Sequence, residues 1–143
     1  MIPYFVIGVF ILFIVAHLFY WEARDGIPKL PKYFAHRGIK SSSPENTFTS
    51  YEEAIKLGFK GIEIDVCSLK DGTVVCSHNY DLEKETNGSG WLFDLDYSQI
   101  KEIKTGVKSH PKNSQKIPRL IDVLEFLPKH VFLNIEIKYK NIF

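Results

Sequence analysis

Residues Ile2 to Trp21 read IPYFVIGVFILFIVAHLFYW, with no Lys, Arg, Asp or Glu. About 20 helical residues at ~1.5 Å each reach ~30 Å, the depth of a bilayer's hydrocarbon core. The run is apolar on every face, which suits lipid better than the one-sided burial of a soluble helix. Tyr4, Tyr20 and Trp21 lie at its ends, where aromatic rings favour the lipid–water interface. No Lys or Arg precedes the run and no small-x-small cleavage site follows it, so an anchor is favoured over a signal peptide. The pattern predicts a transmembrane anchor over residues 1–21, a linker over 22–32 and a folded part over 33–143. Arg24, Lys29 and Lys32 follow the run, and the positive-inside tendency places the folded part in the cytoplasm. His17, titratable within the run, is read as interfacial or helix-packed rather than as a proton relay.

Beyond the linker the pattern changes to short alternating and helical segments. Tyr33 to His36 reads as a short buried strand that runs into a loop, Arg37 to Asn46, carrying Gly38 and Pro44. Phe48, Tyr51, Ala54 and Ile55 then share one helical face, with Glu52, Glu53 and Lys56 opposite. Thr49 with Glu52 fits a capping box, Asn46 or Thr47 are alternative caps, and Gly58 is a stop. Ile62 to Cys67 alternates strictly. Asp71-Gly72 signals a two-residue hairpin loop, and Thr73 to His78 is the return strand.

Tyr80 to Lys116 is polar and turn-rich, a long functional loop or small insertion. Leu120, Val123, Leu124 and Leu127 give a second helix its apolar face, Pro128 ends it, and Val131 to Ile137 is a further strand. Successive βα units predict an α/β fold with a parallel sheet. Carboxylates at strand ends favour a TIM-type (β/α)8 barrel, whose sites gather on that face.

Composition narrows the function classes. The 143 residues carry 18 basic and 17 acidic side chains, net charge +1, and show no basic stripe of the kind that binds nucleic acid. Cys67 and Cys76 are too few for a disulfide framework and lack zinc-site spacing. They are read as small reduced core residues that face one another across the hairpin.

Glu63 and Asp65 are two apart in a strand, so both point to one side while Ile62, Ile64 and Val66 point to the other. Two unpaired carboxylates facing a barrel interior are costly, and a hard cation such as Mg²⁺ or Ca²⁺ relieves that cost. Glu136, with the same alternation on Ile135-Glu136-Ile137, is a candidate third oxygen ligand. With a two-residue turn, Lys70 faces Thr73, Cys67 faces Cys76 and Asp65 faces His78. That register puts His78 beside the carboxylates as a general acid or base. Arg37 can hold phosphate with two hydrogen bonds or pair with Glu45 or Glu63. Lys138, two beyond Glu136, adds positive charge there. His130 opens a strand on the opposite, stability face, and His110 lies in the insertion, so neither is a catalytic candidate.

In order, His36-Arg37-Gly38, Pro44-Glu45-Asn46-Thr47, Glu63-x-Asp65 with Asp71-Gly72 and His78, and Asn134-Ile135-Glu136-Ile137-Lys138 resemble the glycerophosphodiester phosphodiesterase family, over Phe34 to Lys138. The resemblance implies a TIM-type barrel and metal-dependent hydrolysis of glycerophosphodiesters to glycerol 3-phosphate and an alcohol, through a cyclic intermediate. It implies His36 and His78 as acid and base, Glu63, Asp65 and Glu136 as ligands of Mg²⁺ or Ca²⁺, Arg37 on phosphate and Glu45 in the substrate loop. Glycerophosphodiesters or lysophospholipids are the implied substrates. Asn79 follows His78 where the family usually has Asp.

A full barrel needs eight βα units and usually ~250 residues. Three barrel strands and a hairpin arm are predicted here, so the expectation is the N-terminal part of such a barrel, with little or no activity alone. The competing reading is a non-enzymatic membrane protein or interaction module that keeps the start of the fold. Another metal-dependent barrel enzyme, such as a sugar isomerase, is disfavoured by the combined His-Arg-Gly and Pro-Glu-Asn-Thr elements.

Overall fold

The structure, a computed structural model, describes residues 2–20 and 29–139. Trp21 and most of the linker, with Arg24, lie outside the described residues. Helix α1 runs Ile2–Tyr20, and its large apolar side chains from Tyr4 to Leu18 are exposed. Among the described residues no helix is long and apolar enough to cross a membrane. The 19 residues of α1 span roughly 28 Å, just under the ~30 Å hydrocarbon core.

The folded part begins with β1, Ala35–His36, shorter than the Tyr33–His36 expected from sequence. Helix α2, Phe48–Lys56, follows the loop, and its cap is Thr47 rather than Thr49. The Thr47 hydroxyl accepts from the Ser50 N–H at 3.4 Å, and the Ser50 hydroxyl accepts from the Thr47 N–H at 3.2 Å. Gly58 closes the helix by donating its N–H to the Ile55 carbonyl. Strand β2, Gly61–Ser68, is buried along seven of its eight residues, because both of its faces and both of its edges are covered.

Parallel β1 pairs with the first half of β2 (His36 opposite Glu63), and antiparallel β3, Val74–Cys76, pairs with its end. The insertion then supplies a 3₁₀ turn at Leu92–Asp94, the short helix α3 at Tyr97–Ile100, and a two-stranded ladder of β4, Lys104–Thr105, with β5, Gln115–Lys116. Helix α4, Leu120–Phe126, precedes β6, Phe132–Ile137. Strand β6 runs parallel to β2 from Gly61–Phe132 to Val66–Ile137, with Asp65 opposite Glu136.

The alternation of β2 separates two cores. Ile62, Ile64 and Val66 pack with Tyr51, Ala54, Val123 and Leu127 between the sheet and helices α2 and α4. Burying an aliphatic or aromatic side chain of this size contributes about 1.5–3 kcal/mol. On the other side Cys67 and Leu69 pack with Val75, Leu82, Leu92, Ile100 and Ile117, which fastens the insertion to the hairpin. On α4, Val123 and Leu127 are buried as expected, whereas Leu124 is 42% exposed.

The hairpin corrects one expectation. Leu69 donates its N–H to the Thr73 carbonyl, so the loop holds three residues, Lys70, Asp71 and Gly72. Gly72 takes φ +82°, the left-handed position of a three-residue turn with a bulge. Asp71 fixes this shape: one carboxylate oxygen accepts from the Thr73 N–H at 2.9 Å and the other from the Tyr97 N–H at 2.8 Å. The register therefore slips by one. Val66 faces Cys76 and Cys67 faces Val75. Ser77, rather than His78, lies across from Asp65 and donates its N–H to the Asp65 carbonyl at 3.1 Å. The two cysteines belong to opposite cores, and burial pushes each thiol up to about 12.

Candidate active site

Glu63 and Asp65 project from β2 to the side away from α2, and β6 brings Glu136 into register beside Asp65. One carboxylate oxygen from each of the three lies within 4.8 Å of the others. Glu63 and Asp65 are buried; Glu136 is exposed. Two cations counter them. Arg37 Nε lies 2.8 Å from Asp65 Oδ2. Lys138 Nζ lies 3.0 Å from Asp65 Oδ1 and also contacts Glu136. Lys138 thus sits on the carboxylates themselves, a tighter placement than the phosphate-side charge expected from its spacing.

Arg37 organises the loop after β1. Its N–H donates to Glu63 Oε2 at 3.0 Å, and its guanidinium donates to both oxygens of Glu45 at 3.2 and 3.3 Å. Pairing with Glu45 follows the sequence reading. With Glu63 it is the main chain that bonds, while the side chain meets Asp65. Both Arg37 and Asn46 adopt positive φ, +59° and +56°. Asn46 holds Asp65 twice: its Nδ2 donates to Oδ2 at 3.0 Å, and its Oδ1 accepts the Asp65 N–H at 3.1 Å. The Tyr51 hydroxyl donates to the same Asn46 Oδ1 at 3.1 Å. Sequence reasoning missed this. Asn46 looked like a helix cap and Tyr51 like core, and periodicity carries no signal for the polar end of a buried ring.

The environment splits the two buried acids. Burial, then the charge of Asp65, pushes Glu63 above the usual carboxylate range, against the Arg37 N–H. Burial alone would raise Asp65 too, but the contacts from Asn46 and Lys138 and the charge of Arg37 hold it below that range. Glu63 Oε1 is buried and, among the described residues, has no hydrogen-bond donor. A donor-free buried carboxylate oxygen beside two further carboxylates fits a hard divalent cation with oxygen ligands.

His36 Nε2 is 4.0 Å from Glu63 Oε2, with its ring more than half exposed. His78 lies in the wall of a cavity of about 430 Å³, together with Arg37, Glu45, Lys84, Glu85 and His110. The cavity meets the carboxylates through Arg37 and Asn46, both in its wall. The slipped register denies His78 the position opposite Asp65; it lies beyond the end of β3 and shares the cavity wall with Arg37 and Asn46. The insertion closes the far side: His110 Nε2 lies 3.1 Å from the Lys40 carbonyl, and Asn113 Nδ2 donates to the Ser42 carbonyl at 3.0 Å. His110, no catalytic candidate from sequence, is a strap between the insertion and the loop after β1. His130 precedes β6, at the opposite end of the strand from Glu136.

A sheet that gathers acids and basic side chains near the carboxyl ends of its parallel strands, beside a cavity, has the layout of a barrel-type α/β protein. The comparisons with known proteins agree. Residues 36–142 match the model of the glycerophosphoryl diester phosphodiesterase family. A glycerophosphodiester phosphodiesterase of Caldanaerobacter subterraneus subsp. tengcongensis is 41% identical over 106 residues, covering 73% of this chain and 44% of that relative. The solved structure of a glycerophosphodiester phosphodiesterase from Agrobacterium tumefaciens has a TM-score of 0.70 at 32% identity, covering 77% of this chain and 48% of that one. A phosphodiesterase from Oleispira antarctica, in complex with the product sn-glycerol-3-phosphate, gives a TM-score of 0.70 at 33% identity, covering 76% and 45%. The chain belongs to the glycerophosphoryl diester phosphodiesterase family. It spans less than half the length of these relatives.

Proposed function

We propose that this chain forms the cation- and phosphate-binding part of a membrane-anchored enzyme that hydrolyses glycerophosphodiesters to glycerol 3-phosphate and an alcohol. The observation that carries the reading is the convergence of Glu63, Asp65 and Glu136 within 4.8 Å, with Arg37 and Lys138 in contact with Asp65. Glu63, Asp65 and Glu136 would hold Mg²⁺ or Ca²⁺. Such an ion supplies Lewis acidity to phosphoryl oxygens and acidifies a bound hydroxyl.

The side chains do the rest. Arg37 offers guanidinium N–H groups to a phosphate oxygen and gives up part of its hold on Glu45 to do so. Lys138 adds a positive charge on the strand next to it. His36, 4.0 Å from Glu63, and His78, in the cavity wall with Arg37, suit the two proton transfers of a diester hydrolysis. One takes the proton of the attacking hydroxyl and the other gives a proton to the departing alcohol oxygen. Glu45 orients Arg37 from the substrate loop. Glycerophosphodiesters are the substrate class; lysophospholipids extend it where the anchor brings the site to a bilayer.

Support for the anchor is the exposed, uncharged surface of α1 from Tyr4 to Leu18. The basic residues that follow it suggest a cytoplasmic site.

The test is release of glycerol 3-phosphate by this chain joined to the further βα units of a relative's barrel, with Mg²⁺ or Ca²⁺ present. His36→Ala, His78→Ala and Glu63→Ala are each expected to lower turnover by about 10²–10⁴-fold. Wild-type turnover in His36→Ala and Glu63→Ala would show the assignment to be wrong.

A further inference from the structure

Asp65 is the most constrained acid of the cluster, and the constraint comes from one amide. Asn46 is 2% exposed, and Asp65 and Tyr51 are fully buried. The Asn46 amide grips Asp65 by main chain and side chain together, accepting its N–H at 3.1 Å and donating to Oδ2 at 3.0 Å. An amide can flip end for end, which here would set an NH₂ against an N–H and an oxygen against a carboxylate. The Tyr51 hydroxyl, donating to Asn46 Oδ1 at 3.1 Å, adds a second donor that only the correct end can accept. Asn46 reaches this position by holding φ at +56°. Asn tolerates the left-handed region better than other non-glycine residues.

The grip makes the two oxygens of Asp65 unequal. Oδ2 is committed to Asn46 and to Arg37 Nε at 2.8 Å, both from the loop after β1. Oδ1 faces β6, where Lys138 Nζ lies at 3.0 Å. We propose that Asn46, oriented by Tyr51, is the positioning residue for Asp65: it ties Oδ2 to the loop and leaves Oδ1 as the oxygen that takes the cation. The assignment rests on the metal reading above. Without the amide, Asp65 can turn to meet Arg37 with both oxygens, and the carboxylate is withdrawn from Glu63 and Glu136.

The experiment is Mn²⁺ binding to the full chain, followed by calorimetry and by the spin-resonance spectrum of the bound ion, with the thermal midpoint measured in parallel. Asn46→Gly removes the amide yet accepts the same φ. Tyr51→Phe keeps the ring and removes the hydroxyl. Val123→Ala weakens the core of the same sheet without touching the site. Asn46→Gly is expected to weaken Mn²⁺ binding about tenfold or more, and Tyr51→Phe less, in the same direction, with an altered spectrum. Val123→Ala is expected to lower the midpoint with affinity unchanged.

Affinities within twofold of wild type in both site variants would overturn the proposal. So would an equal loss in Val123→Ala, which would mean that affinity only tracks stability. If Asn46→Gly does not fold, Tyr51→Phe decides. A wild-type chain that binds no Mn²⁺ sinks the metal reading and this assignment together; binding that ignores both substitutions sinks the assignment alone.

Discussion

Glu63 and Asp65 stand two residues apart on one strand, yet their protons answer to opposite forces. Glu63 binds its proton more tightly folded than unfolded, because burial and then the charge of Asp65 disfavour its ionised form. Its contribution to stability is therefore greatest below the ordinary Glu value and is lost as pH rises through the raised one. Asp65 has the reverse sign. Burial works against its charge, but Asn46, Lys138 and Arg37 outweigh it, so its contribution is present above the ordinary Asp value and lost as pH falls through the lowered one.

Glu63→Gln is accordingly expected to raise the thermal midpoint near neutral pH while abolishing divalent binding, whereas Asp65→Asn lowers both. Scanning calorimetry with and without Mn²⁺ checks the pair. Divalent affinity is also expected to weaken on acidification, beginning above the ordinary Glu value of 4.5, as Glu63 takes up its proton. A titration of affinity against pH reads this directly. The acids themselves were legible from sequence, since alternation alone puts Glu63 and Asp65 on one face and repeats the pattern at Glu136. Their unequal environments were not, because these depend on Asn46, a loop residue brought 19 positions along the chain to meet Asp65.

Helices, strands and turns set how the cavity is closed. The strands and helices followed from apolar spacing with small shifts at their ends, because β2 is buried on both sides and α2 on one. The hairpin register did not, since the choice between a two- and a three-residue loop lies in Asp71 bonding to both Thr73 and Tyr97. Tyr97 belongs to the insertion, whose fold has no periodic signature.

The insertion in turn presses on the loop after β1. Gly106 has φ +76°, and a Cβ there would run into the Pro44 ring. Gly106→Ala is expected to cost about 1–3 kcal/mol in chemical denaturation and to shift Glu45 and Asn46, next along from Pro44. Weaker Mn²⁺ binding would report that shift. For comparison, Ile64→Ala, in the core between sheet and helices, is expected to cost about 2–5 kcal/mol with no direct effect on the site. An Ile64→Ala chain as stable as wild type would contradict the packing described for β2.

Taken whole, the molecule leaves large apolar side chains uncovered at β6 and on α4. Ile135, Ile137 and Tyr139 are exposed on or just after β6, as are Ile121, Leu124 and Phe126 on α4. Exposed apolar side chains beside a strand edge that is unpaired among the described residues attract further chain. The folded part without α1 is expected to bind a hydrophobic dye and to self-associate with rising concentration in sedimentation. Addition of the remaining βα units of a relative's barrel should reverse both. A monodisperse, dye-silent monomer would contradict this and lend weight to a self-contained interaction module.

Helix α1 makes a separate prediction. The full chain should float with liposomes in a density gradient, and deletion of residues 2–20 should leave it in the soluble fraction. Barrel order was legible at this scale because each βα unit announces itself by a change of period. The exposure of particular β6 residues was not, since apolar spacing marks a strand without saying which neighbours cover it.

The pairing of Asp65 with Glu136 across β2 and β6 also bears on when the site comes into being. All three acids lie on two neighbouring strands, and the loop that carries Arg37 and Asn46 precedes both. Chains emerge from the ribosome amino end first and fold by domain-sized units as they do so. The carboxylate set is therefore whole once Glu136 has emerged, whatever follows it.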